Sequence, residues 1–77
     1  MVRVLFFGAT ADLAGKREVA VLTEDTTVGS ILERLLVDHP ALAKVDLQFA
    51  VNQQFASRDT VVPWFAELAI FTAVSGG

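Results

Sequence analysis

The sequence ends in Ser75-Gly76-Gly77, and these are the residues through which the chain could take part in chemistry. Glycine has no Cβ, so a pair of glycines can lie extended in a channel that is too narrow for side chains. The reactive group of such a tail is the α-carboxylate of Gly77. We therefore expect this carboxylate to be modified in the active site of another protein, the alternative being a frayed tip without a role.

The rest of the chain has few groups that could catalyse a reaction. Cysteine is absent, and the one histidine, His39, directly precedes Pro40. A triad needs a nucleophile, a base and an orienting group in contact. The acidic residues are spread singly apart from Glu24-Asp25, a pair that suits a helix dipole better than a metal site. We expect a chain that is not catalytic by itself, with no bound metal or cofactor.

Composition and charge point to a protein partner. The net charge is −3 and the six basic residues are scattered, which argues against nucleic acid. No apolar run approaches the roughly 20 residues that a membrane span needs. Hydrophobic residues make up 53% of only 77, so some apolar surface should stay uncovered, and such patches mark contacts with proteins. The absence of cysteine is compatible with the cytoplasm, where we expect the chain to work.

Four segments have the character of strands. Residues 2–7 and 17–22 are rich in β-branched and aromatic side chains, and residues 47–51 and 67–74 repeat the pattern. Glycines bound residues 8–15, which we interpret as a loop. Asn52-Gln53 is the expected turn after the third strand. Pro63 makes residues 61–65 ambiguous, since proline is excluded from central strands.

One helix is predicted between the second and third strands. Thr27 is a plausible N-cap, and Pro40 ends the helix. Apolar residues recur at helical spacing and form one stripe, made of Val28, Ile31, Leu32, Leu35 and Leu36. One helix cannot cover two sheets, so we expect a two-layer α+β domain with a single mixed sheet. The last strand should lie beside the first, which places the tail (75–77) beyond the sheet edge.

Several short motifs, in this order and spacing, resemble those of the MoaD/ThiS family of ubiquitin-like sulfur carriers, and within it the small subunits of molybdopterin synthase. They are Val2-Arg-Val-Leu-Phe-Phe-Gly8, Leu13-Ala-Gly15, Thr27-Val-Gly-Ser-Ile-Leu32, His39-Pro-Ala-Leu42, Ala50-Val-Asn-Gln53 and Val74-Ser-Gly-Gly77. Each is weak alone, but together they run the length of the chain.

The resemblance implies a fold, a mechanism and partners. The fold would be a single β-grasp domain over 1–77, with a mixed sheet packed on one main helix and a flexible tail at 75–77. An E1-like enzyme would use ATP to adenylate the carboxylate of Gly77, and sulfur would replace AMP to give a thiocarboxylate. The tail, including Ser75 and Gly76, would enter the large subunit of the synthase, where Gly77 would donate its sulfur to a pyranopterin precursor.

The resemblance also implies that Phe7, Phe55 and Phe71 form an apolar docking surface. The residue pattern agrees in part, because Phe7 and Phe71 are out of phase with the predicted core positions. The alternative is that they fill a second small core. Phe55 rests on the resemblance alone.

Three departures from the family pattern affect partner contacts rather than the tail. Trp64-Phe-Ala-Glu67 replaces an acidic turn, Phe71-Thr-Ala73 replaces Phe-Pro-Pro, and Ala11 stands in place of an arginine. Trp64 and Phe65 in this turn could form an added contact surface, and partial packing is the favoured explanation.

Three other functions remain open at this point. The thiamine-pathway sulfur carrier shares the fold and the Gly-Gly end, although Phe6-Phe7 and the long first loop favour the molybdopterin interpretation. A ubiquitin-like modifier would join the same carboxylate of Gly77 to lysines. A plain β-grasp interaction module would have an inert tail.

Overall fold

Residues 1–73, the part that the computed structural model describes, form a five-stranded mixed sheet, one long helix and several short elements. The strands are β1 (Val2–Phe6), β2 (Glu18–Val21), β3 (Thr26–Thr27), β4 (Leu47–Val51), β5 (Gln54–Ala56), β6 (Val61–Val62) and β7 (Glu67–Thr72). The helices are α1 (Ala9–Ala14), α2 (Val28–Asp38) and a 3₁₀ helix (Pro40–Lys44). The main sheet has the order β2-β1-β7-β4-β5, and β3 pairs separately with β6.

The first and last strands lie side by side at the centre of the sheet, as the sequence predicts. They run parallel, with Val4 opposite Leu68 and Phe6 opposite Ile70. The other pairings in both sheets are antiparallel. Parallel strands point their carboxyl ends toward one edge, so β7 ends close to where β1 ends.

The core lies between α2 and one face of the main sheet. Four residues of the predicted helical stripe are buried, namely Val28, Ile31, Leu32 and Leu35, and Leu36 packs against them while half-buried. The sheet contributes Val2, Val4, Phe6, Phe49, Leu68 and Ile70. Each such side chain stabilises the fold by roughly 1.5–3 kcal/mol relative to an exposed position. The predicted stripe is confirmed.

The predicted ends of α2 are confirmed as well. The Ser30 amide donates to Oγ1 of Thr27 at 3.2 Å, which makes Thr27 the N-cap. The two amides before it in the helix, those of Val28 and Gly29, donate to backbone carbonyls of the loop that follows β5. The helix ends at Asp38, directly before His39 and Pro40. No helix within residues 1–73 is long and apolar enough to cross a membrane.

The prediction of a loop over residues 8–15 is wrong, because the structure has the short helix α1 there. Its six residues are too few to show a helical period. Gly8 and Gly15, at its two ends, have φ angles of 59° and 75°, so the glycines do mark its limits. Thr10 and Ala14 are buried, and this tertiary packing compensates for the weakness of so short a helix.

The other differences concern strand limits. The ambiguous residues 61–65 contain β6, which pairs with β3 and stops before Pro63. Strand β1 stops at Phe6 rather than Phe7, and β2 spans 18–21 rather than 17–22. Strand β7 is assigned to Thr72, while Val74, the predicted limit, lies outside the described residues.

The turn between β4 and β5 generates a stability prediction. Asn52 and Gln53, the predicted turn residues, have φ angles of 49° and 71°, and Asn and Gly are the residues best suited to this region. Gln53 is exposed, so Gln53→Gly should raise the free energy of unfolding by about 0.5 kcal/mol, measured by urea denaturation.

The control is Asn52→Gly, which relieves the same kind of strain but removes a hydrogen bond. The Asn52 side-chain oxygen accepts from the Glu67 amide at 2.9 Å, so this variant should be less stable than Gln53→Gly. A Gln53→Gly protein that is less stable than the natural chain would contradict the assignment of strain to Gln53.

Candidate functional site

The face of the main sheet that α2 does not cover is the candidate site, and we call it the open face. Its members follow from the register, because directly opposed residues share a face. Leu68 and Ile70 point into the core, so their neighbours in β7 point outward. The open face comprises Arg3, Leu5, Glu18, Ala20, Gln48, Ala50, Phe55, Glu67, Ala69 and Phe71.

An aromatic pair marks the β4–β5 side of the open face. The ring centroids of Phe55 and Phe71 lie 6.1 Å apart at a tilt of 56°. Phe55 is 86% exposed, and Phe71 is half-buried. The two rings leave apolar surface in contact with water in the free chain, and exposed apolar patches mark contacts with proteins. The pair is therefore a candidate contact for another protein.

Phe7 lies at the end of β1, one residue beyond the strand. Its side chain is 51% exposed and lines a shallow surface groove together with Leu5, a residue of the open face. Within residues 1–73, its ring is not paired with that of Phe55 or Phe71. The structure thus brings two of the three predicted phenylalanines into contact and leaves the third at the same edge as the end of β7.

Charged residues occupy the opposite end of the open face. Arg3 forms ion pairs with Glu18 at 3.0 Å and Glu67 at 3.7 Å. The hydrogen bond and charge of Glu18 raise the pKa of the Arg3 guanidinium above its usual value. Because these groups are exposed, they contribute little to stability. The open face therefore carries charges where β7 begins and, where β7 ends, the Phe71 ring with the uncharged Gln48 beside it.

The carboxyl end of β7 is anchored by a residue that sequence reasoning missed. The hydroxyl oxygen of Thr10 lies 2.7 Å from the carbonyl oxygen of Phe7 and 2.9 Å from that of Ile70. Thr10 is fully buried, and no other polar or charged residue among residues 1–73 is buried. The sequence offers no signal for it, because the contact depends on the unpredicted helix α1.

The predicted reactive tail, Ser75, Gly76 and Gly77, lies outside the described residues. The last described residue is Ala73, which is exposed and follows the end of β7. The segment that bears Gly77 therefore begins at the edge of the sheet where Phe7 and Phe71 lie.

The remaining candidate groups are dispersed. His39 packs its ring against that of Phe6, with centroids 6.1 Å apart. Within residues 1–73, no three histidine, aspartate or glutamate side chains converge in a way that would hold a metal ion.

Trp64 and Phe65 are exposed by 55% and 66% and stack edge-to-face at 5.4 Å. The Trp64 amide donates to Oδ1 of Asp25 at 2.8 Å, which fixes the turn that carries them. Both side chains are exposed and pack on each other rather than into the core, so the prediction of partial packing is not confirmed.

Comparisons with known proteins place this geometry in a family. The fold is the ubiquitin-like β-grasp, as its likeness to the crystal structure of SAMP1 from Haloferax volcanii shows: the TM-score is 0.83, the identity is 31%, and the match covers 99% of this chain and 98% of that one. The model of the ThiS family matches residues 4–77. The chain belongs to the ThiS family.

Two relatives match almost end to end. A Caenorhabditis elegans protein named molybdopterin synthase sulfur carrier subunit is 38% identical over 82 aligned positions, which cover 99% of this chain and 96% of the relative. A Caenorhabditis briggsae protein of the same name is 36% identical, with the same coverage of both chains.

The open face generates a second stability prediction. Phe55→Ala should change the free energy of unfolding by less than about 0.5 kcal/mol, because the side chain is almost fully exposed. Ile70→Ala, on the buried face of the same sheet, should cost about 2–5 kcal/mol. Thermal and urea unfolding of both variants measure the difference, and a large loss for Phe55→Ala would place Phe55 in a second core.

Proposed function

We propose that the chain is a sulfur carrier of molybdenum cofactor biosynthesis, acting as the small subunit of molybdopterin synthase. The observation that carries the proposal is its similarity, at 38% identity and nearly full length, to a protein named as that subunit. The Gly-Gly end supplies the chemical group that a sulfur carrier needs.

The proposed chemistry takes place at the carboxylate of Gly77. An E1-like enzyme joins this carboxylate to the α-phosphate of ATP, which releases pyrophosphate and leaves an acyl-adenylate. A sulfide-level nucleophile then attacks the carbonyl carbon, forms a C–S bond and expels AMP. The sulfur of the resulting thiocarboxylate then attacks a carbon of the pyranopterin precursor and displaces an oxygen substituent. Water cleaves the acyl–sulfur bond, which leaves the sulfur on the precursor and restores the carboxylate.

The described part of the chain suits a substrate of this kind. We propose one β-grasp domain over 1–77 with Ser75, Gly76 and Gly77 as a flexible tail, so that the rigid sheet presents the tail and the open face docks the partner. Phe7, Phe55 and Phe71 would form the apolar contact with the large subunit. The catalytic groups and the ATP would belong to the partners, and the complex would work in the cytoplasm.

A second candidate function has support from two solved structures. The chain is 31% identical to SAMP1, and another structure of Haloferax volcanii, 29% identical to this chain, bears the name small archaeal modifier protein 1. A modifier would use the same acyl-adenylate but would end in an amide bond between Gly77 and a lysine amine. Both functions begin with adenylation of the Gly77 carboxylate, and they differ in the nucleophile that then attacks the acyl-adenylate.

The first test is the intact mass of the chain after incubation with its activating enzyme, ATP and a sulfur source. We expect a gain equal to the mass of sulfur minus that of oxygen, located on the peptide that contains Gly77. A chain with one alanine added after Gly77 should keep its circular dichroism spectrum and gain no sulfur. Sulfur on both chains, or on neither, would contradict the proposal, and an isopeptide on a lysine would favour the modifier.

The second test concerns the docking surface. Phe71→Ala and Phe55→Ala should each weaken binding to the large synthase subunit by about tenfold, which equals about 1.4 kcal/mol, since buried aromatic contacts dominate interfaces. Isothermal titration calorimetry measures the dissociation constants.

A matched control for this test is Val37→Ala, which removes an exposed apolar side chain from α2, on the other side of the sheet. It should leave binding unchanged. Equal weakening by all three substitutions, or by none of them, would place the interface elsewhere.

A further inference from the structure

We infer that Thr10 is a positioning residue for the sulfur-bearing tail. Its buried hydroxyl fixes the carboxyl end of β7 and so sets where the segment leading to Gly77 begins. This inference rests on the proposed function of Gly77, and it assigns a role in that function to a residue outside the tail and outside the open face.

Three groups meet at the Ile70 and Phe7 carbonyls. The Ile70 carbonyl accepts from the Phe7 amide at 3.0 Å and faces the Thr10 hydroxyl at 2.9 Å. The Phe7 carbonyl faces the same hydroxyl at 2.7 Å and accepts from the Thr10 amide at 3.3 Å. A hydroxyl has one proton, so Thr10 donates to one carbonyl at a time or to both in a three-centre bond. The hydroxyl oxygen therefore lies between the end of β1 and the end of β7, within hydrogen-bond distance of a carbonyl of each.

Ile70 is the last residue of β7 that β1 supports. The pairing of β1 with β7 ends at Phe6 opposite Ile70, while Phe71 and Thr72 pair with β4 alone. Phe71 and Thr72 are therefore held on one side by β4, and on the other side the last support of β7 is at Ile70, from the Phe7 amide and the Thr10 hydroxyl. Removing the hydroxyl should let the end of β7 fray.

The expected effect is on recognition rather than on chemistry. The carboxylate of Gly77 lies seven residues beyond Ile70 and keeps its reactivity when β7 frays. When the end of β7 frays, however, the partner has to order that end of the strand as it binds the carrier, and this ordering costs binding free energy. A loss of this kind raises KM and leaves kcat unchanged.

The test uses three variants in the complete chain. Thr10→Val keeps the shape and removes the hydroxyl, and both carbonyls keep a backbone donor, so the variant should fold. Thr10→Ser restores the hydroxyl. Asn52→Gly is the comparison variant. It removes one hydrogen bond at the opposite end of the same strand, where the Asn52 side chain meets the Glu67 amide, and it also relieves the strain of the positive φ at Asn52.

Two readouts separate positioning from stability. The first is the rate of Gly77 thiocarboxylate formation against carrier concentration. Thr10→Val should raise KM about threefold or more at constant kcat, while Thr10→Ser and Asn52→Gly should stay near the natural value. The second is hydrogen exchange of the Phe7 amide, which donates to Ile70 and should exchange faster in Thr10→Val alone.

The outcomes are distinct. An unchanged KM for Thr10→Val, or an equal rise for Asn52→Gly, would overturn the inference and reduce Thr10 to a contributor to stability. If Thr10→Val does not fold, Thr10→Ala takes its place with the same expectations. A natural chain that gains no sulfur would refute the proposed function instead, and the exchange measurement would still report on the anchor.

Discussion

The parallel pairing of β1 with β7 is the contact on which the rest of the structure depends. It joins residues from the two ends of the chain at the centre of the sheet, with Val4 opposite Leu68. Contacts this distant in sequence are entropically costly to close, and here the buried side chains on the helix-covered face provide the compensation. The same pairing directs β7 so that it ends beside Phe7, and therefore decides where the C-terminal segment starts.

The two faces of the sheet differ in what covers them. One face is filled by the stripe of α2 and supplies the stability of the domain. The other is charged around Arg3 and apolar around Phe55 and Phe71, so it can contact a partner without any change in the core. Under the proposed function, the open face would dock the partner and Gly77 would be the substrate, so the catalytic side chains would belong to the partners.

The sequence predicts the elements whose pattern is long or chemically marked. The α2 stripe is periodic over more than two turns, Thr27 is a good cap, and Asn52-Gln53 separates two strands, so all three are confirmed. Helix α1 is not predictable in this way, because its six residues are held by tertiary packing of Thr10 and Ala14 rather than by a pattern.

The same distinction holds for the candidate site, where some features follow from a sequence pattern and others depend on tertiary contacts. Alternation in β7 is enough to place Phe71 outside the core, but its contact with Phe55 depends on the β4–β5 register, which no spacing reveals. Phe55 itself came from the resemblance alone, since β5 has only three residues. The Thr10 anchor is invisible for the same reason as α1, and the docking role of the three phenylalanines is still a prediction.

The proposed function requires that Gly77 carries the sulfur in the cell. The most direct measurement is to purify the chain from its own cells under conditions that preserve thiocarboxylates, digest it with trypsin, and fragment the peptide that follows Arg58 in a mass spectrometer. The account predicts that a fraction of this peptide carries sulfur in place of oxygen on its last residue. Sulfur elsewhere, or a Gly77 found only as free carboxylate or as an amide with lysine, would contradict it.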